Sequence, residues 1–300
     1  MTVCAFLGFG EVASRFANRL RERGAAVLAY DVLLERPGGR ETLVARAAGA
    51  PPEFAPLAQT LARADIVLST VTTDVALPAA RDCVALLRAG QMYVDLNATS
   101  PAVKRETASV VAQSGADFVE GAILSAIGVA GPDAKVLLCG PRADEATAVL
   151  SRLGLNVHAY GTEIGKASSF KMLRSVFSKG LEALLIECLL AGRHAGIEQA
   201  LWQEIVATID AASFDDVGGN WVRTPATAHG RRYHEMLQVA EVLRELQVDA
   251  PMTSATVALF ERSTRLALND AFPGPPASVD DVTAALDARL DAFSNGKQAR

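Results

Sequence analysis

Apolar residues arrive along the first half of the chain in short unbroken runs set between amphipathic stretches. The runs near residues 2–7, 26–30, 66–71, 92–96, 117–120, 135–139 and 155–159 are too short for helices and read as strands buried on both faces. Helical spacing of the apolar positions fills the stretches between them. Alternation of this kind predicts a doubly wound parallel sheet wrapped by helices over residues 1–163. Past Gly165 the short runs stop, and long helical periodicity predicts helices at about 166–192, 197–212, 230–247, 252–270 and 279–293. Breaks are expected at Gly192–Gly196, Val217-Gly-Gly219, Asp249–Pro251 and Phe272–Pro276, with Ser294–Arg300 a polar tail. The fold class is therefore α/β, with an all-α domain over residues 164–300.

The first strand empties into Gly8-Phe9-Gly10-Glu11-Val12-Ala13, followed by a helical stretch. Gly8 permits a tight turn, Gly10 lets backbone approach a pyrophosphate, and Ala13 lets helix and strand pack closely. The second strand ends in Asp31, eighteen residues beyond Ala13, close to the spacing expected for an acid on the adenosine ribose. This is the fingerprint of a Rossmann dinucleotide site, and a carboxylate at Asp31 favours NAD over NADP, with Arg36 keeping the 2′-phosphate reading open. Ser69-Thr70-Val71-Thr72-Thr73 follows another strand at the carboxyl end of the sheet, where open α/β sheets place ligands. It reads either as site or as a turn rich in hydroxyls. The expected cofactor-binding set is Gly8, Phe9, Gly10, Glu11, Val12, Asp31, Thr70, Val71, Thr72 and Asn97.

Two further segments carry chemistry. Val94-Asp95-Leu96-Asn97-Ala98-Thr99-Ser100-Pro101 turns from strand to helix; it can receive a carboxylate, and Thr99 or Ser100 can cap the helix. On the long helix after Gly165, Ser168, Lys171, Arg174, Ser175, Ser178, Lys179 and Glu182 share one side. A solvated face explains such a strip, but the chain has six lysines and three of them stand here, directly after the dinucleotide domain.

Net charge is −5 without a basic cluster, which argues against a nucleic-acid partner. No apolar stretch approaches the ~20 residues of a membrane span, and no leader pattern opens the chain, so a soluble cytoplasmic protein is expected. Cys4, Cys83, Cys139 and Cys188 are scattered, without metal-ligand or disulfide spacing, and read as reduced core residues.

The order GxGxxA, then Asp95 to Pro101, then Gly165 with Lys171 six residues later resembles the β-hydroxyacid dehydrogenases, the group of 3-hydroxyisobutyrate, tartronate semialdehyde and 6-phosphogluconate enzymes. The resemblance spans nearly the whole chain. It implies hydride transfer between nicotinamide and a substrate with a hydroxyl β to an anionic group, Lys171 being the general acid/base. A lysine pKa near 10.4 must fall for that work, and burial with Lys166 and Arg174 nearby is expected to lower it. The family's substrate loop corresponds to Glu120-Gly-Ala-Ile-Leu-Ser125-Ala-Ile-Gly128. Asn97, Ser125, Arg174, Ser175 and Arg231 are the expected substrate contacts, and a homodimer through the helical domain is implied. Asn97-Ala98, Leu124-Ser125-Ala126 and Arg174 depart from the family's usual Ser-Thr, Ser-Gly-Gly and Asn, and Lys171-Met-Leu-Arg-Ser-Val-Phe-Ser-Lys-Gly180 and Arg231-Arg-Tyr-His-Glu-Met236 resemble a branch that keeps the cofactor domain and carries a distinct C-terminal domain. Two rivals remain: an imine reductase on the same scaffold, whose relatives tend to carry Asp or Tyr at the position of Lys171, and a non-catalytic dinucleotide sensor, for which Lys171 has no purpose.

Overall fold

The structure is a computed structural model and describes residues 1–47 and 49–298. Its first compact unit, Met1–Val176, is built on eight strands: β1 (Val3–Leu7), β2 (Ala26–Tyr30), β3 (Glu53–Phe54), β4 (Ile66–Ser69), β5 (Met92–Asp95), β6 (Asp117–Ile123), β7 (Val136–Cys139) and β8 (Val157–Gly161). Helices α1 (Glu11–Glu22), α2 (Gly39–Arg46), α3 (Leu57–Arg63), α4 (Ala76–Cys83), α5 (Pro101–Ala112), α6 (Ile127–Ala130) and α7 (Ala143–Arg152) connect them. The α8 helix (Lys166–His194) contributes its first turns to this unit.

The strands lie in the order β3-β2-β1-β4-β5-β6-β7-β8. Leu7 at the end of β1 is registered with Tyr30 on one side and Ser69 on the other, all three strands running parallel. The strand order reverses there, so the chains leaving at Gly8 and Thr70 splay to opposite faces and open a crevice. Alternate strand residues feed two cores. Phe6, Leu68 and Val94 pack with Phe16 and Leu20 of α1 on one face, while Ala5, Val67 and Tyr93 pack with Val111 and Phe118 on the other. Each large side chain so buried contributes about 1.5–3 kcal/mol. Burial pushes the thiols of Cys4 and Cys83 up to about 12, so both stay neutral in the core.

Five details differ from the pattern read along the sequence. The two-residue β3 follows Pro51-Pro52 and has no apolar run to announce it. The strand expected over 66–71 ends at Ser69, which releases Thr70–Thr72 into the crevice. β7 runs antiparallel to β6. The connection between these strands holds only the four-residue α6 and a 3-10 turn at Gly131–Asp133, without the longer crossover helix that a parallel pair ordinarily uses.

The fourth and fifth differences lie in the second unit, Phe177–Arg300, whose described residues are helical beyond α8: α9 (Glu198–Asp210), α10 (Phe214–Arg223), α11 (His229–Glu245), α12 (Pro251–Arg265) and α13 (Val279–Gln298). The expected break at Val217-Gly-Gly219 is instead the middle of α10. Ser213 caps that helix by accepting from the Asp216 amide, and a Cβ on Gly218 would stand 3.2 Å from the Phe214 ring, so this glycine serves packing rather than a turn. The segment expected as a polar tail from Ser294 continues α13 to Gln298; Ala299 and Arg300 lie outside the described residues. Glu187 on α8 accepts from the amides of Met252 and Thr253 at 2.7 and 2.8 Å, which fixes the start of α12. Among the described residues no helix is long and apolar enough to cross a membrane.

Candidate active site

The turn after β1 is held on three sides. Gly8 takes φ +84°, and a Cβ there would meet Val71 Cγ1 at 2.9 Å, so glycine alone fits. Its amide donates to Tyr30 O at 2.8 Å, and its carbonyl accepts from Thr70 Oγ1 at 2.8 Å. Asp31 completes the frame: Oδ2 accepts from the Phe9 amide at 2.8 Å and Oδ1 from the Leu33 amide at 2.9 Å. Phe9 therefore acts through its backbone, while its ring is buried edge-on against Phe54. A cavity of about 550 Å³ opens here, lined among others by Gly8, Gly10, Asp31, Arg46, Thr70 and Thr72.

A nicotinamide dinucleotide fits these residues. Nothing stands within 4 Å of where a Cβ on Gly10 would be, and no side chain caps α1. The first amides of that helix have no carbonyl of their own and point into the gap, as a pyrophosphate requires. Asp31 keeps lone pairs for ribose hydroxyls beyond the two it commits to amides. Arg46, rather than Arg36, is the arginine that lines this cavity. Glu11 is exposed at the first turn of α1, and Val12 is half-buried.

A second cavity of about 360 Å³ shares the Thr70–Thr72 wall and adds Val12, Asn97, Ser125, Ile127 and Lys171. The structure thus brings together Lys171, Asn97 and Ser125 from α8, the β5 exit and the β6 exit. Burial, and after it the like charge of Lys104, lowers the Lys171 pKa below 10.5. The expected contributions of Lys166 and Arg174 are replaced by that of Lys104, because both point elsewhere: Lys166 pairs with Glu163 at 3.0 Å, and Arg174 donates to Leu124 O at 2.7 Å. Arg174 is absent from the lining of this cavity. Ser175 donates its hydroxyl to Lys171 O at 2.9 Å, and Ser125 accepts from the Lys135 amide at 3.3 Å. Arg231 lies in the second unit, exposed and 3.6 Å from Glu235.

Beneath the second cavity lies a charged group that the sequence reading passed over. Asp95, Lys104 and Glu120 are all fully buried. Lys104 Nζ reaches Asp95 O at 2.8 Å, Asp95 Oδ1 at 3.3 Å and Gly121 O at 3.4 Å. Asp95 Oδ1 also accepts from the amide and the Nδ2 of Asn97, at 2.9 and 2.6 Å, and Asn97 Nδ2 donates further to Ser69 Oγ at 2.9 Å. Both donors of that amide are used, and Asn97 Oδ1, buried beside the cavity, has no partner. Glu120 accepts from the amides of Gly165 and Ser168 at 2.5 and 2.6 Å, one turn before Lys171. A sequence signal for Lys104 existed: it occupies an inward position of α5 with Thr107 and Val111, where an apolar residue belongs. Ser100, not Thr99, caps that helix, accepting from the Val103 amide at 3.3 Å with Pro101 in the first turn.

Residues 3–161, more than half of the chain, match the family described as the NAD binding domain of 6-phosphogluconate dehydrogenase. The protein belongs to that family. Residues 193–263 match a domain of unknown function, so this member joins the dinucleotide domain to a separate helical module. Over 284 residues it is 23% identical to the 2-(hydroxymethyl)glutarate dehydrogenase of Eubacterium barkeri, covering 88% of this chain and 89% of that one. A solved conserved protein, described as structurally similar to 3-hydroxyacid dehydrogenases, is 31% identical over 89% of this chain and 98% of its own, with a TM-score of 0.59. An imine reductase variant from Myxococcus stipitatus, in complex with NAD+, superposes with a TM-score of 0.77 over 95% of this chain and 99% of its own; at 18% identity that likeness concerns the fold. Membership of that family gives the protein a nicotinamide dinucleotide-binding domain over residues 3–161.

Proposed function

We propose that the protein is an NAD(P)-dependent oxidoreductase that interconverts a β-hydroxy acid and its carbonyl form, with Lys171 as general acid/base. The observation that carries this reading is the single cavity lined by Lys171, Asn97 and Ser125, whose Thr70–Thr72 wall also bounds the dinucleotide cavity. The nicotinamide, when bound, supplies the hydride acceptor or donor. A lowered pKa lets Lys171 Nζ take the substrate hydroxyl proton in oxidation and return it in reduction. Asn97 Oδ1, its amide donors already committed, is left to accept from an N–H of Lys171, which leaves the lone pair of Nζ for the one proton of the substrate hydroxyl. The Ser125 hydroxyl and the cation of Lys171 favour an anionic substrate. The Asp31 carboxylate favours NAD, since it repels a 2′-phosphate.

The 2-(hydroxymethyl)glutarate dehydrogenase relative supports a hydroxy acid substrate, whereas the imine reductase likeness extends to the fold alone. A homodimer is supported by the apolar residues left open on α8 and the helices after it, among them Leu173, Val176, Ile186, Trp202 and Trp221. The test is a titration with NAD and NADP, then a 340 nm screen against 3-hydroxy acids and their phosphates, with Lys171→Ala beside the native protein. Binding and turnover that Lys171→Ala abolishes without loss of cofactor affinity is the expected result; binding with turnover unchanged by the substitution overturns the role of Lys171.

A further inference from the structure

The buried charges below the second cavity form a connected set, and Lys104 stands at its centre. Its Nζ has three acceptors within 3.4 Å, Asp95 O, Asp95 Oδ1 and Gly121 O. An ammonium has three protons to give and a neutral amine two, so these acceptors, with the charges of Asp95 and Glu120, favour the charged form against the burial that lowers this lysine's pKa. A charge in so dry a place costs several kcal/mol unless it is paired. Asp95 meets that need at 3.3 Å, the charge of Glu120 adds to it without direct contact, and each carboxylate does a second task. Asp95 holds both the amide and the side chain of Asn97, and Glu120 binds the first turn of α8 at Gly165 and Ser168. One ammonium thus bonds the anchor of the cavity's acceptor and, at Gly121 O, the backbone next to the anchor of the helix that carries Lys171.

We propose that Lys104 is a positioning residue of this site: its buried ammonium ties β5 at Asp95 to β6 at Gly121, fixes Asn97 through Asp95, steadies the strand whose Glu120 holds α8, and presents a like charge to Lys171. The charged groups around Lys171 leave this task to Lys104. From its own helix, Lys166 is paired with Glu163 and Arg174 is turned to Leu124 O; from β5, Asp95 is committed to Lys104 and Asn97, and from β6, Glu120 to the amides of Gly165 and Ser168; Thr70–Thr73, Asn97 and Ser125 on the cavity wall are uncharged. The lowering of the Lys171 pKa, by burial first and Lys104 second, agrees with this geometry.

The inference rests on Lys171 as the acid/base, but its test needs no substrate, so failure to find turnover and failure of the coupling are separate results. The pH dependence of acetylation by acetic anhydride, read peptide by peptide by mass spectrometry, gives the midpoint of Lys171 against the exposed Lys179. Lys104→Met removes the like charge and leaves two carboxylates uncompensated, so the Lys171 midpoint rises by on the order of one pH unit. Glu120→Gln removes a negative charge and leaves Lys104 stronger, so the midpoint falls. A general loosening of the fold would raise both. Opposite shifts, with Lys179 unmoved and dinucleotide binding retained, support the proposal; no shift in Lys104→Met, or shifts of the same sign, overturns it. Should Lys104→Met fail to fold, Lys104→Met with Asp95→Asn removes the pair together. Compared with Asp95→Asn alone, the double variant must raise the Lys171 midpoint, and an equal midpoint overturns the proposal.

Discussion

Asp95 holds Asn97 by two hydrogen bonds to one oxygen: Oδ1 accepts from the Asn97 amide at 2.9 Å and from its Nδ2 at 2.6 Å. The grip sets which end of the Asn97 amide is left over. With Nδ2 shared between Asp95 and Ser69, Oδ1 remains as an acceptor beside Lys171. A side chain so fixed needs no reorganisation to accept from the Lys171 amine and aim its lone pair, which is the source of its value in catalysis.

Asn97→Ala is therefore expected to reduce kcat/KM for the hydroxy acid by about 10²-fold, the scale of one preorganised polar contact, while the Kd for the dinucleotide changes little. Steady-state kinetics on the first substrate found in the screen, with a cofactor titration alongside, measures both. Equal loss of cofactor affinity and turnover would mean that Asn97 supports the dinucleotide rather than the substrate.

The two glycines of the first turn are expected to fail differently. Gly8 combines a positive φ with a crowded Cβ position, so Gly8→Ala strains the fold and lowers stability by about 1–3 kcal/mol. Gly10 has an ordinary φ of −91° and open space around it, so Gly10→Val leaves the thermal midpoint almost unchanged yet blocks the pyrophosphate. Thermal unfolding with and without cofactor separates the two: Gly10→Val keeps the native Tm and loses the rise on adding NAD. A native-like rise in Gly10→Val would place the pyrophosphate elsewhere.

Much of this site was legible because it is written in residues that backbone geometry or phosphate chemistry restricts. Gly8, Gly10 and Asp31 announce themselves by spacing, and Thr70–Thr72 by following a strand at the carboxyl edge of the sheet. Lys104 was not legible in the same way. Its meaning depends on Asp95 and Glu120, which come from separate strands and meet it only in three dimensions, and a lysine on an amphipathic helix ordinarily lies in water. The direction of β7 was hidden for another reason, since a buried strand has the same apolar pattern run either way; only the single turn of α6 carries the information. Gly218-Gly219 misled because glycine marks both turns and close helix packing.

Asp31 carries the expected preference for NAD. Asp31→Asn keeps a carbonyl oxygen for one backbone amide but removes the charge that repels a 2′-phosphate, and Arg46 lines the same cavity. The ratio of Kd values for NADP and NAD is expected to shift toward NADP by about tenfold, equivalent to about 1.4 kcal/mol. Fluorescence titrations of both variants give the ratio directly; an unchanged ratio would remove Asp31 from cofactor choice.

The pH dependence of the reaction follows from the lowered pKa of Lys171. Oxidation needs the neutral amine, so kcat/KM for oxidation rises with pH and levels off above a midpoint below 10.5; reduction needs the ammonium and falls through the same midpoint. Stability moves with it. A lysine whose folded pKa lies below its unfolded value binds its proton more weakly in the native state, so the charged form costs stability at every pH below the folded pKa. That cost disappears as pH rises from the folded pKa toward 10.5. Lys171→Met is thus expected to lose about 10²–10⁴-fold in turnover while gaining thermal stability near neutral pH, a gain that fades toward pH 10.5. Thermal melts across pH 6–11 are the measurement. A variant no more stable than the native protein at neutral pH would show that the native site already accommodates the Lys171 charge without cost, and the basis for a depressed pKa would be gone.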